Sequence, residues 1–113
     1  MKTKPQTKAK KTPPDRIPSI HPGEILLHEF LEPAGISQYR LAQATGLPSS
    51  RISDLVKGRR GITPDSAIRL GKALGMATEF WLNLQHDYDV REARHAKDEE
   101  YAAIPLLMGL TAP

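Results

Sequence analysis

Residues 38–57, QYRLAQATGLPSSRISDLVK, decide the fold. A pair of short helices crossing steeply over a tight turn makes three demands on a sequence. The first helix needs a small residue where the second approaches, the turn needs a residue at ease at positive φ, and the second helix needs apolar residues on its inner side. Counted from Gln38, Ala42 is fifth, Gly46 ninth, Leu47 tenth, Ile52 fifteenth and Leu55 eighteenth, and all five satisfy those demands. The segment is therefore expected to be a helix-turn-helix. At about 100° per residue, Ile52 and Leu55 mark the buried side of its second helix. Ser50, Ser53, Asp54 and Lys57 lie opposite, and Ser49 stands at the N-terminal tip, the end that enters a DNA major groove first in this motif. These five are the candidate base-reading residues. Seryl hydroxyls donate or accept at base edges but discriminate weakly, while Asp54 either accepts from a cytosine amino group or orients Arg51, three positions before it. Gln38, Arg51, Arg59 and Arg60 are the candidate phosphate contacts. The alternative for Arg59 and Arg60 is an ordinary solvated loop.

Outward from this motif, helix punctuation divides the chain. Upstream, Pro22 suits a first-turn position, Glu24 suits a positive helix N-terminus, and Leu26, Leu27, Phe30 and Leu31 form an apolar stripe that Pro33 and Gly35 end. Ser37 is the expected cap of the helix containing Tyr39, Leu41 and Ala42, and Ser49 the expected cap of the next, which Gly58 and Gly61 close. Thr63-Pro64-Asp65 is a cap, a first-turn proline and an acid, starting a helix through Ala67, Leu70 and Leu74 that stops at Gly75. Thr78 is expected to cap a fifth helix carrying Trp81, Leu84 and Tyr88 and fraying near Arg94. Its Phe80, Trp81, Leu82, Leu84 and Tyr88 spread wider than one core stripe, which makes them the candidate dimer interface, with wholly internal packing as the alternative. The expected organisation is all-α: a disordered basic arm over 1–20, a five-helix domain over 21–94, and a tail over 95–113. The arm is assigned because its lysines and prolines bury too little apolar surface to offset ordering entropy.

Composition bounds the function. The chain has 113 residues, 39% hydrophobic and 5% aromatic, enough for one modest core. Its ten prolines fit irregular ends, and the absence of cysteine excludes disulfides and thiolate metal sites. No apolar run approaches the roughly 18 residues of a membrane span, and the basic N-terminus lacks the apolar core of a secretory signal, so a cytoplasmic protein is expected. The net charge of +3 is unevenly distributed: residues 1–16 balance to +5, 17–38 to −3, 39–72 to +5 and 73–113 to −4. The basic block that coincides with the helix-turn-helix suits a polyanion.

Enzymatic and metal readings find little support. Histidines stand at 21, 28, 86 and 95, but His28-Glu29 is only half a metalloprotease motif, because position 32 is glutamate. No phosphate-binding glycine loop follows a strand, and no nucleophile–base pair is visible. No cofactor is expected.

The motifs His21-Pro22-Gly23-Glu24, Glu29-Phe30-Leu31-Glu32-Pro33, Ser37-Gln38-Tyr39-Arg40-Leu41-Ala42, Ile52-Ser53, Gly58-Arg59-Arg60-Gly61-Ile62-Thr63-Pro64 and Glu79-Phe80-Trp81-Leu82-Asn83-Leu84-Gln85 occur in this order. Together they resemble HigA-type addiction-module antitoxins over residues 20–94. The resemblance implies the five-helix fold of phage-repressor-like proteins of the XRE/Cro-C1 type. It further implies a bacterial homodimer that binds operator DNA, represses its own operon and neutralises a HigB-type toxin, a RelE-like messenger-RNA endonuclease. An orphan repressor without a toxin is the alternative. Since an RNase is basic, its antitoxin is expected to offer an acidic surface. The first helix, with Glu24, Glu29 and Glu32, is the favoured toxin-binding candidate. The acids near the end of the chain, with the apolar stretch after Tyr101, are the rival.

Overall fold

The structure, a computed structural model, describes residues 19–109. The basic arm expected over 1–20 lies outside the described residues except for Ser19 and Ile20, as does the end of the tail from Leu110. The described residues form five helices and no strand, as the sequence predicts. Helix α1 opens with an α-helical turn, Pro22–Ile25, widens to a π-helix over Leu26–Leu31 and closes with Glu32–Ala34. It is followed by α2 (Gln38–Thr45), α3 (Ser49–Val56), α4 (Pro64–Leu74) and α5 (Thr78–Ala102). The widening of α1 was not foreseen. It ends two residues before Pro33, whose ring would strike the carbonyl four residues back in an α-helix. The amide of Glu32 accordingly bonds the carbonyl of Leu27, five residues back.

Most helix boundaries follow the expected chemistry. Ser37 Oγ accepts from the Arg40 amide at 3.0 Å and caps α2. Thr63 and Ser66 cap α4 reciprocally, each side chain accepting from the other's amide, at 3.2 and 2.9 Å. Gly35, Gly46, Gly58 and Gly75 all stand at positive φ where helices stop. Three expectations need correction. Ser49 does not cap α3: Pro48 holds that position, its carbonyl accepting from Arg51 and Ile52 at 3.0 and 3.2 Å, so Ser49 is already the first helical residue. Thr78 is likewise inside α5, which starts with the amide of Phe80 bonded to Ala77 O at 3.0 Å. Nor does α5 fray near Arg94; it continues to Ala102, with only Lys97 leaving helical geometry (φ −131°, ψ 31°).

The chain divides at Asp89. Ser19–Asp89 is one compact unit, and residues from Val90 onward belong to another. The first unit has a core of Leu26, Leu31, Leu41, Ile52, Leu55, Leu70 and Trp81, each at most 1% exposed. Phe30, Phe80 and Trp81 form an aromatic cluster with ring centroids 5.0 to 5.8 Å apart. In the second unit the residues Ile104, Leu106, Leu107 and Met108 are exposed.

Candidate nucleic-acid interface

The α2–α3 turn is held by side chains as well as by its glycine. Gly46 sits at φ 78°, a conformation costly for any residue with a Cβ. Thr45 donates its hydroxyl to Leu41 O at 2.8 Å and accepts from the Leu47 amide at 3.3 Å, bridging the end of α2 to the start of the turn. Arg69 on α4 donates to Thr45 O at 2.8 Å while its Nε bonds both carboxylate oxygens of Asp65, at 2.9 and 3.1 Å. The C-terminal carbonyls of α2 thus receive a cation that is itself oriented by an acid.

Helix α3 is fixed from behind. Ile52 and Leu55 are 0% exposed, as the wheel predicts. Gly23 of α1 lies so close to Leu55 that a Cβ on it would overlap the Leu55 carbonyl oxygen. The outer side carries Ser49, Ser50 and Lys57 exposed and Ser53 and Asp54 half-buried. Arg51 is half-buried on the flank, and Gln38 is exposed at the head of α2.

At the exit of α3 the chain makes a Schellman turn. The Gly58 amide bonds Leu55 O at 3.1 Å, and the Arg59 amide reaches back to Asp54 O at 2.8 Å, with Gly58 at φ 78°. This turn brings the side chains of Asp54 and Arg59 together, Nη1 to Oδ1 at 3.8 Å. The ion-pair partner of Asp54 is therefore Arg59 and not Arg51. Arg59 and Arg60 are both exposed at this exit.

Two residues support this loop whose part the sequence reading missed. Gln85 on α5 accepts from the Ile62 amide through Oε1 at 2.6 Å, and its Nε2 donates to Asp89 at 2.9 Å. A signal was present: Gln85 is four positions after the buried Trp81, so a polar residue sits on the inward face of a helix. His21 is buried at the start of α1, where Nδ1 accepts from the Gly23 amide at 2.9 Å. Its ring meets Tyr88 edge-on at 4.9 Å, and a Cβ on Gly58 would lie 3.8 Å from it. Burial lowers its pKa, against the opposing pull of Glu24 and Asp89.

Of the candidate dimer residues, Trp81 is 0% exposed in the core of its own chain, which removes it from any surface. Phe80, Leu82, Leu84 and Tyr88 are half-buried. The acids Glu24, Glu29 and Glu32 of α1 are all exposed. Glu32 accepts from His28 Nδ1 at 3.0 Å, which raises the His28 pKa. No group of three or more His, Asp or Glu side chains among the described residues is arranged to hold a metal ion. No helix among them is long and apolar enough to cross a membrane.

A helix-turn-helix family model matches residues 27–81. The chain is 44% identical over 92 residues to virulence-associated protein I of Dichelobacter nodosus, covering 81% of this chain and 85% of that protein. It is 43% identical over 89 residues to antitoxin HigA-1 of Vibrio cholerae, covering 78% and 84% respectively. The solved structure of Pseudomonas aeruginosa antitoxin HigA with the higBA promoter superposes with a TM-score of 0.76 at 39% identity, covering 80% of this chain and all of that one (100%).

Proposed function

The chain belongs to the HigA-type family of helix-turn-helix antitoxins, and from that membership we propose that it is a cytoplasmic, non-catalytic DNA-binding antitoxin. It binds its operator as a homodimer, represses its own operon and neutralises a HigB-like messenger-RNA endonuclease. The carrying observation is α3 itself: its back is locked into the core through Ile52 and Leu55, while Ser49, Ser50 and Lys57 stand exposed beside Arg59 and Arg60. A rigid helix with a polar outer face and cations at its exit suits insertion into a major groove with phosphate clamps alongside. Ser49, Ser50, Ser53, Asp54 and Lys57 read base edges in this proposal, and Gln38, Arg51, Arg59 and Arg60 hold the backbone. The exposed acids Glu24, Glu29 and Glu32 face the toxin, leaving α3 available to DNA at the same time.

The DNA of this chain's own upstream region is the test ligand. Wild type is expected to retard that duplex at low salt and lose it steeply as salt rises. Replacing Arg59 and Arg60 by Gln should weaken binding to every sequence and lower the salt slope by about four, two phosphate contacts being lost on each chain of the dimer. Unchanged affinity and slope would remove the phosphate role. Co-expression with the adjacent gene tests the antitoxin role. If that gene is toxic and this chain neither restores growth nor co-purifies with the product, the protein is an orphan repressor.

A further inference from the structure

A Schellman turn places the third residue from the helix end beside the second residue past its cap, and proteins commonly fill that contact with two apolar side chains. Here the two positions hold Asp54 and Arg59. The apposition is built in by the backbone, through the 2.8 Å bond from the Arg59 amide to Asp54 O. It does not depend on two long side chains finding each other. Asp54 is also the one acid on the outer face of α3, and its side chain is 35% exposed against 68% for Arg59. A carboxylate there faces phosphates in any DNA complex, which is unfavourable unless it is neutralised or meets a hydrogen-bond donor. The N–O separation of 3.8 Å leaves the pair without a tight bidentate bond, so the guanidinium remains able to swing outward.

Resting on the DNA-binding reading above, we propose that Asp54 is a specificity-determining residue acting as a brake on Arg59. On DNA of the wrong sequence its carboxylate stays unpaired by the bases and keeps its hold on Arg59, weakening the phosphate contact that Arg59 would make. On the operator the carboxylate accepts from the exocyclic amino group of a cytosine in the major groove, and Arg59 turns to the backbone. The pair thereby penalises indiscriminate binding, which Arg59 and Arg60 would otherwise favour on any duplex.

The experiment measures affinity against salt for wild type, Asp54→Asn, Arg59→Gln and the double variant. The probes are the duplex from the chain's own upstream region and a scrambled duplex of equal length and composition. Asp54→Asn should tighten binding to the scrambled duplex about three- to tenfold, because a like charge is removed beside phosphates. It should leave the upstream duplex unchanged or weaker, collapsing the ratio between the two. In the Arg59→Gln background the same substitution should tighten scrambled-duplex binding by clearly less, since only the repulsion between carboxylate and phosphates is then relieved and no restrained cation is released. Matching thermal melts of the four proteins exclude a folding effect. The brake is overturned if Asp54→Asn shifts both duplexes equally, or if its effect is the same with and without Arg59. Wild type failing to prefer the upstream duplex at all would overturn the DNA-reading proposal, and the brake with it.

Discussion

His21 combines three tasks in one ring: it caps α1, it packs on Tyr88, and it lies beneath Gly58 at the exit of α3. The cap needs Nδ1 unprotonated, because it accepts from the Gly23 amide. Burial lowers the folded pKa below the ordinary 6.5, with Glu24 and Asp89 opposing. The unfolded chain therefore takes up the proton first as pH falls. This contribution to stability is complete above the unfolded value and is lost as pH falls toward the folded one. Wild type should lose melting temperature as pH falls below the ordinary histidine value of 6.5, and His21→Asn, which retains a capping oxygen, should show a shallower loss. Identical slopes would mean that His21 is not the titrating group. His28, exposed and raised by Glu32, works in the opposite direction and is common to both proteins. At Gly23 the constraint is volume. Gly23→Ala should cost about 1–3 kcal/mol in urea denaturation, because the methyl meets the backbone of α3, which cannot rotate away. The identity of these residues was plain in the sequence, but their neighbours were not. Asp54 pairs with Arg59 rather than with Arg51, one of the two alternatives its position offers, because side-chain spacing on a helix says nothing about a chain that folds back past its end.

The helices themselves were largely legible, since Ala42, Gly46, Ile52 and Leu55 answer to simple steric demands that only a few residue types meet. Boundaries failed where another signal competed. At Pro48 the fixed φ near −61° and extended ψ make the proline itself the boundary, displacing Ser49 inward. The length of α5 was underestimated because residues beyond Val90 lack an apolar stripe, yet Ala, Arg, Lys and Glu there are strong helix formers. The π-helical stretch of α1 had no sequence signal beyond Pro33. Elements also hold one another, and Gln85 shows how. Gln85→Ala should leave the Ile62 amide without its side-chain acceptor, costing about 1–2 kcal/mol. Hydrogen exchange at the Ile62 amide should accelerate, and DNA affinity should fall because the segment carrying Arg59 and Arg60 loses its tether. Unchanged exchange at Ile62 would show that the bond does not secure the loop.

For the whole molecule, the alternation of charge along the chain was readable at once, whereas assembly was not, because an interface is a property of two chains. One recognition helix covers too few base pairs to select a site in a genome, so a two-fold dimer should set two copies of α3 about 34 Å apart on one face of the DNA. Phe80, Leu82, Leu84 and Tyr88 remain the proposed contact, with Trp81 withdrawn into the core. Sedimentation should give a dimer at micromolar concentration and two chains per operator; a monomer bound singly would refute it. The withdrawal of Trp81 has an optical consequence. It is the only tryptophan among the 113 residues, and it is sealed among Phe30 and Phe80, with an indole nitrogen that meets no hydrogen-bond partner among the described residues. Its fluorescence should therefore lie at short wavelength in the folded chain and shift to the red only when the core opens. Every variant above then carries its own internal dye, silent to DNA at α3 and responsive to unfolding.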